Sequence, residues 1–146
     1  MADGKELIET LMAAITAGDE AQLDRLLHPD LVSHGALGDV QGPDGFKGVM
    51  LTNVKRAFPD AEVHAEGVVQ EGEMISWRVA GQGTHTGAFL GIEPTGREIR
   101  IRGIHQGRIA DGRLIEHWQG PDILAMLIDM DKLPTGPPGS TKGETE

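Results

Sequence analysis

Apolar positions recur at helical spacing near the start of the chain. Between Lys5 and Ala17, the residues Leu7, Ile8, Leu11, Met12 and Ile15 form one stripe. Gly18 interrupts it. Asp19, with Gln22 three residues on, has the form of a capping box, and Leu23, Leu26 and Leu27 give the short helix behind it an apolar face until Pro29. "DLVSHGALGDVQGPDG" is rich in turn formers and reads as a loop or a short strand. A third helix is expected from about Asp44 to Ala57, with Phe46, Met50, Val54 and Ala57 along one side. Phe58-Pro59 ends it, because the residue before proline is pushed out of the helical region.

From Ala61 the period changes. "AEVHAEGVVQEGEMISWRVAGQGTHTG" alternates in short runs broken by glycine, and "REIRIRGIHQGRIADGRLIEHW" adds two more such runs. Glu71-Gly72 and Asp111-Gly112 are the expected hairpin turns, the second being the stronger signal. A last helix is expected from Pro121 to about Met130. Three helices, about four strands and a short helix, kept apart along the chain, predict an α+β fold. Helices packed on a curved antiparallel sheet would make a cone around a pocket. The expected domain is residues 1–133. The stretch 134–146, "PTGPPGSTKGETE", has no large apolar residue and is expected to be a disordered tail.

Composition narrows the chemistry. A chain of 146 residues has the size of one domain. Such a domain buries roughly 70% of its unfolded surface. There is no cysteine, which excludes disulfides, a thiolate nucleophile and thiolate metal sites. The net charge of −10 is repelled by phosphate, so neither nucleic acid nor a membrane is an expected partner. No apolar stretch reaches the ~20 residues of a membrane span and no signal peptide is visible, so the expected location is cytoplasmic. The six histidines lack the spacings His-x-His, His-x-x-x-His and His-Glu-x-x-His, so no metal is expected. No serine lies in Gly-x-Ser-x-Gly, and "GQGTHTG" lacks the setting of a dinucleotide loop.

"FPDAEV", "GTHTGAFLGIEPTGREIRIRG" and "DGRLIEHWQGPDILAML" together resemble the SnoaL-like polyketide cyclases of the NTF2-like superfamily. The resemblance runs from about Leu7 to Leu133 and is densest from Thr84 to Leu127. It implies an α+β cone. It also implies a cofactor-free intramolecular aldol closure, with the aspartate ending Glu-x-Trp-x-x-x-Asp as acid/base. That residue is Asp122, after Glu116 and Trp118. The implied ligand is a small apolar or aromatic polyketide-type ester, and the fold analogy implies a homodimer. The absence of tyrosine weakens the ketosteroid isomerase, scytalone dehydratase and epoxide hydrolase branches, which use tyrosine in their sites.

Each candidate residue also has an ordinary reading. From its position alone, Asp122 is a helix cap. Alternation puts Ile99, Ile101, His105 and Ile109 on one strand face, which points His105 into the cone. A bulge at Gly103 would instead turn Gln106 and Arg108 inward. His34, in the loop after the second helix, and His85, in Gly-Thr-His, are expected at the pocket. Trp118 is expected as a wall for a planar substrate. His28, His64 and His117 read as surface residues. The expected function is thus a cofactor-independent ester cyclase. The alternatives are a non-catalytic ligand-binding or dimerisation module, or a cofactor-free polyketide hydroxylase of the same branch. Removal of residues 134–146 is expected to leave the melting temperature within a few degrees in a thermal scan. A large drop would show that the segment packs.

Overall fold

The computed structural model describes residues 4–133; the expected tail lies outside them. Helix α1 (Gly4–Ala17) buries the predicted stripe, and α2 (Glu20–Leu26) starts where Asp19 accepts the Gln22 N–H at 3.1 Å. The stretch read as a loop is a hairpin of β1 (Leu27–Gly35) and β2 (Gly38–Gln41). Helix α3 (Gly42–Lys47) runs into a π-helical segment (Gly48–Lys55). Phe46, Met50 and Val54 recur every four residues, a spacing wider than the 3.6 of an α-helix that suits i→i+5 bonding. Lys55 ends the segment by donating to the carbonyls of Thr16, Pro59 and Ala61.

Four more strands follow: β3 (Glu62–Glu71), β4 (Met74–Thr84), β5 (Glu98–Ala110) and β6 (Arg113–Trp118), and then α4 (Ile123–Asp129). The first hairpin turns at Gly72-Glu73, one residue later than expected. The second turns at Asp111-Gly112, whose φ values of 55° and 72° are both positive, as a type I′ turn requires. The sheet has six strands in the order β2-β1-β6-β5-β4-β3. It is mixed rather than antiparallel throughout, because β1 runs parallel to β6. The α+β architecture of helices packed on one sheet is as expected. The edge strand β3 shifts register between Glu66 and Val69, where Gly67 has φ of 58°.

Two apolar clusters fill the space between sheet and helices. One holds the α1 stripe, Leu23, Leu31, Phe46, Trp77, Ile109 and Leu114. The other holds Phe58, Phe89, Ile99, Met126 and Met130. Along the inner face of β5 they part at Gly103, His105 and Gly107, with Ile101 on one side and Ile109 on the other.

The chain leaving β6 stays on β5. Ile104 N–H donates to the Gly120 carbonyl, Asp122 N–H donates to the Arg102 carbonyl, and Gly103 bridges Pro121. This crossing explains the glycines: a Cβ on Gly120 would run into the Ile104 carbonyl, and one on Gly103 into the Gly120 carbonyl. Gly120→Ala is expected to cost about 1–3 kcal/mol, the range for forced overpacking, read from a urea midpoint. A neutral outcome would show that the crossing segment can move.

Candidate active site

The register between β4 and β5 is unbroken from Met74↔Arg108 to Thr84↔Glu98, so Gly103 is not a bulge. His105 therefore faces inward and is 8% exposed, while Gln106 faces out. The bulge lies on β6 instead. Arg108 pairs with Glu116 and Ile109 with Leu114, which leaves Ile115 as the extra residue. Both Leu114 and His117 then point inward, and His117 is 2% exposed. The expectation of a surface His117 is corrected: plain alternation from Leu114 would send it out, and the bulge reverses it.

A buried polar chain results. His105 Nδ1 lies 3.0 Å from His117 Nε2, and His117 Nδ1 lies 2.8 Å from Ser33 Oγ. Gln119 Nε2 donates to Ser33 Oγ at 3.0 Å. Ser33 arrives on β1, opposite His117 across the parallel pair. Gln119 continues the β6 register and so stands opposite His105. The Trp77 ring lies nearly parallel to both imidazoles, 5.8 Å from each centroid, and Phe46 packs at 5.6 Å from His117.

Burial pushes His105 down to about 4 and His117 to about 3, the latter helped by repulsion from His105 and His34. Both rings are neutral at pH 7. His105 Nε2 makes no hydrogen bond among the described residues, yet it is not sealed from solvent as Trp77 Nε1 and His85 Nε2 are.

A second network lies on the outer face. His34 Nε2–H donates to the Glu116 carboxylate at 2.8 Å, while its Nδ1 is 3.1 Å from Asp39 Oδ1. Arg108 Nε donates to Glu116 Oε1 at 3.2 Å. Trp118 stacks on His34 at 5.4 Å, and Gln106 stands opposite Trp118. The Glu116 hydrogen bond raises His34 above its ordinary value, and the same bond holds Glu116 below the usual carboxylate range. His34, Gln106 and Trp118 therefore do not share a pocket with His105: strand alternation sends them to the opposite side of the sheet.

His85 is fully buried and acts within its own loop. Its Nδ1 accepts from the Thr95 N–H at 3.2 Å, which clips the Pro94-Thr95-Gly96 turn against Gly-Thr-His. Asp122 caps α4, accepting the Ala125 N–H at 3.0 Å. It is exposed and stands opposite Arg102 on the continued ladder, on the side away from His105. The sequence alone does not mark Ser33, His117 or Gln119 as site residues. Among the described residues, no group of three or more His, Cys, Asp or Glu could hold a metal, and no helix is long and apolar enough to cross a membrane.

Among the described residues, four helices on a six-strand mixed sheet, with a polar strip buried between two apolar clusters, define an NTF2-like α+β fold. The chain belongs to the SnoaL-like polyketide cyclase family, whose model matches residues 5–130. It is 30% identical to the aklanonic acid methyl ester cyclase DnrD of Streptomyces peucetius, over 82% of this chain and 84% of that one. It is 28% identical to the nogalonic acid methyl ester cyclase of Streptomyces nogalater, over 80% and 89%. Among solved structures, IdmH from Streptomyces antibioticus superposes with a TM-score of 0.76 at 32% identity, covering 86% of this chain and 96% of that one. AclR from Streptomyces galilaeus, proposed to be a hydroxylase, superposes at 0.78 and 28%, covering 92% and 84%.

The buried pair makes stability depend on pH in a fixed direction. An unfolded histidine titrates near 6.5. The folded values of about 4 and about 3 lie below that, so the contribution is whole above pH ~6.5 and is lost as pH falls toward them. For His105 the loss is at most about 3.5 kcal/mol, at ~1.4 kcal/mol per pKa unit. His34 works oppositely: its contribution is present below ~6.5 and lost above its raised value. Melting temperature is expected to fall between pH 6.5 and 4, with a shallower fall in H105Q. A flat profile in the native protein would contradict the buried neutral pair.

Proposed function

We propose that this protein is a cofactor-independent cyclase that closes a ring on a polyketide-type ester by intramolecular aldol addition, with His105 at the reacting carbonyl. The observation that carries the reading is His105 itself. It lies where two apolar clusters part, one ring nitrogen is held by His117, and the other is unclaimed. The flanking clusters suit an apolar or aromatic ligand. The named methyl ester cyclases supply the reaction class.

Aldol closure needs a donor at the oxygen of the ketone under attack. A neutral imidazole does this when its pKa is held low, because it polarises the carbonyl without carrying charge into a dry site. The attacking carbon is an enol flanked by further carbonyls of the same chain. The enol releases its O–H proton and the new alkoxide takes one up, so the reaction is an isomerisation with no redox partner.

Asp122 is the other candidate for proton transfer, and the two separate experimentally. With aromatic polyketide methyl esters as substrates, His105→Ala is expected to lower turnover by roughly 10²–10⁴, the usual contribution of a positioned acid/base group. Asp122→Asn is expected to stay within a few-fold, since Asn caps a helix about as well as Asp. The reverse pattern would return the chemistry to Asp122. The superposition on AclR favours a second reading, hydroxylation of the same ligand class. Product mass decides between them, because cyclisation leaves it unchanged and hydroxylation adds an oxygen atom. Tight binding of the esters with no turnover would leave a binding module.

A further inference from the structure

We propose that Gln119 and Ser33 are positioning residues that fix, through His117, which ring nitrogen of His105 carries its proton. The argument is a donor count along one buried line. The Gln119 amide N–H donates to Ser33 Oγ. The amide N–H cannot take the Ser33 proton, and Ser33 is fully buried, so the acceptor its side-chain partners leave for that O–H is His117 Nδ1 at 2.8 Å. His117 Nδ1 then accepts, and a neutral imidazole that accepts at Nδ1 carries its proton on Nε2. That proton points at His105 Nδ1, 3.0 Å away. His105 accepts there in turn, so its own proton sits on Nε2, the unclaimed nitrogen between the two apolar clusters.

The polarity of the line is thus set at its far end, by an amide two side chains removed from His105. Reversing the first bond reverses every bond after it. A carboxylate at position 119 can only accept, so it would draw the Ser33 proton to itself. Ser33 would then accept from His117 Nδ1–H, and His117 Nε2 from His105 Nδ1–H. His105 would present a lone pair in place of an N–H. The packing keeps the amide in place: Gln119 lies against Gly35, where a Cβ would come within 2.9 Å of its Oε1. The value of this tautomer for ring closure rests on the proposed function; the tautomer itself does not.

The test reads the two rings directly, by nitrogen NMR of the full chain labelled at histidine, with no substrate present. In the native protein both His105 and His117 are expected as the Nε2–H tautomer. Gln119→Glu is expected to exchange the protonated and unprotonated nitrogens of both rings. Ser33→Ala cuts the line and is expected to leave His105 as a mixture of tautomers; it keeps the test open if the Glu variant does not fold. A native His105 carrying Nδ1–H overturns the proposal. So does a folded Gln119→Glu protein with both rings as in the native one, or a single unchanged tautomer in Ser33→Ala. If His105→Ala proves fully active while Gln119→Glu inverts the rings, the role of His105 in ring closure fails and the setting of its tautomer stands.

Discussion

One extra residue in β6 decides what lies inside this protein. Ile115 has no partner on β5, and that single bulge lets Leu114 and His117 face the same way three residues apart. Without it, His117 would join Glu116's side of the sheet, or Leu114 would leave the core. A bulge that closes one apolar cluster and also brings a histidine to another strand's histidine is a designed feature of a sheet rather than a defect. The buried line of polar side chains follows from it: His117 reaches His105 on one side and Ser33 on the other.

The same bulge explains where sequence reading succeeds and fails. Asp19's cap, the α1 stripe and the I′ turn at Asp111-Gly112 depend on neighbours a few residues away, so their signals survive without tertiary context. His105 also obeys strict alternation, because β4 and β5 pair without interruption. Gly103 looked like a place for a bulge, but it is glycine for another reason: the Gly120-Pro121 segment crosses it. Nothing local distinguishes those two uses of glycine. His117 and Ser33 are invisible for a related reason. One depends on the bulge, and the other on a parallel pairing between strands more than 80 residues apart in sequence. The β1–β2 hairpin hid behind turn formers, which serve a short strand pair as well as a loop.

Three consecutive residues of β6 serve two opposite electrostatic environments. Glu116 and Trp118 face solvent, where a carboxylate raises the pKa of His34. His117 faces the core, where burial lowers its own. Only the thickness of the sheet separates a histidine that favours its charged form from two that reject it. The inner pair has two aromatic neighbours and no carboxylate partner in its hydrogen-bonded line, so neutrality is the state the surroundings support. A neutral, hydrogen-bonded imidazole suits a reaction in which charge builds up on substrate oxygen and then disappears.

The edge strand β3 has a consequence for how copies of this protein meet. Its backbone is kinked at Gly67, its register slips before Val69, and Glu62, Glu66 and Glu71 lie along its length. A flat neutral edge would accept a foreign strand, and this one repels it by both shape and charge. Strand addition at that end of the sheet is therefore closed to a second copy. At that edge, contact with another chain is left to side chains on a face, which can be specific and reversible, and not to a shared backbone ladder, which is the route to aggregates.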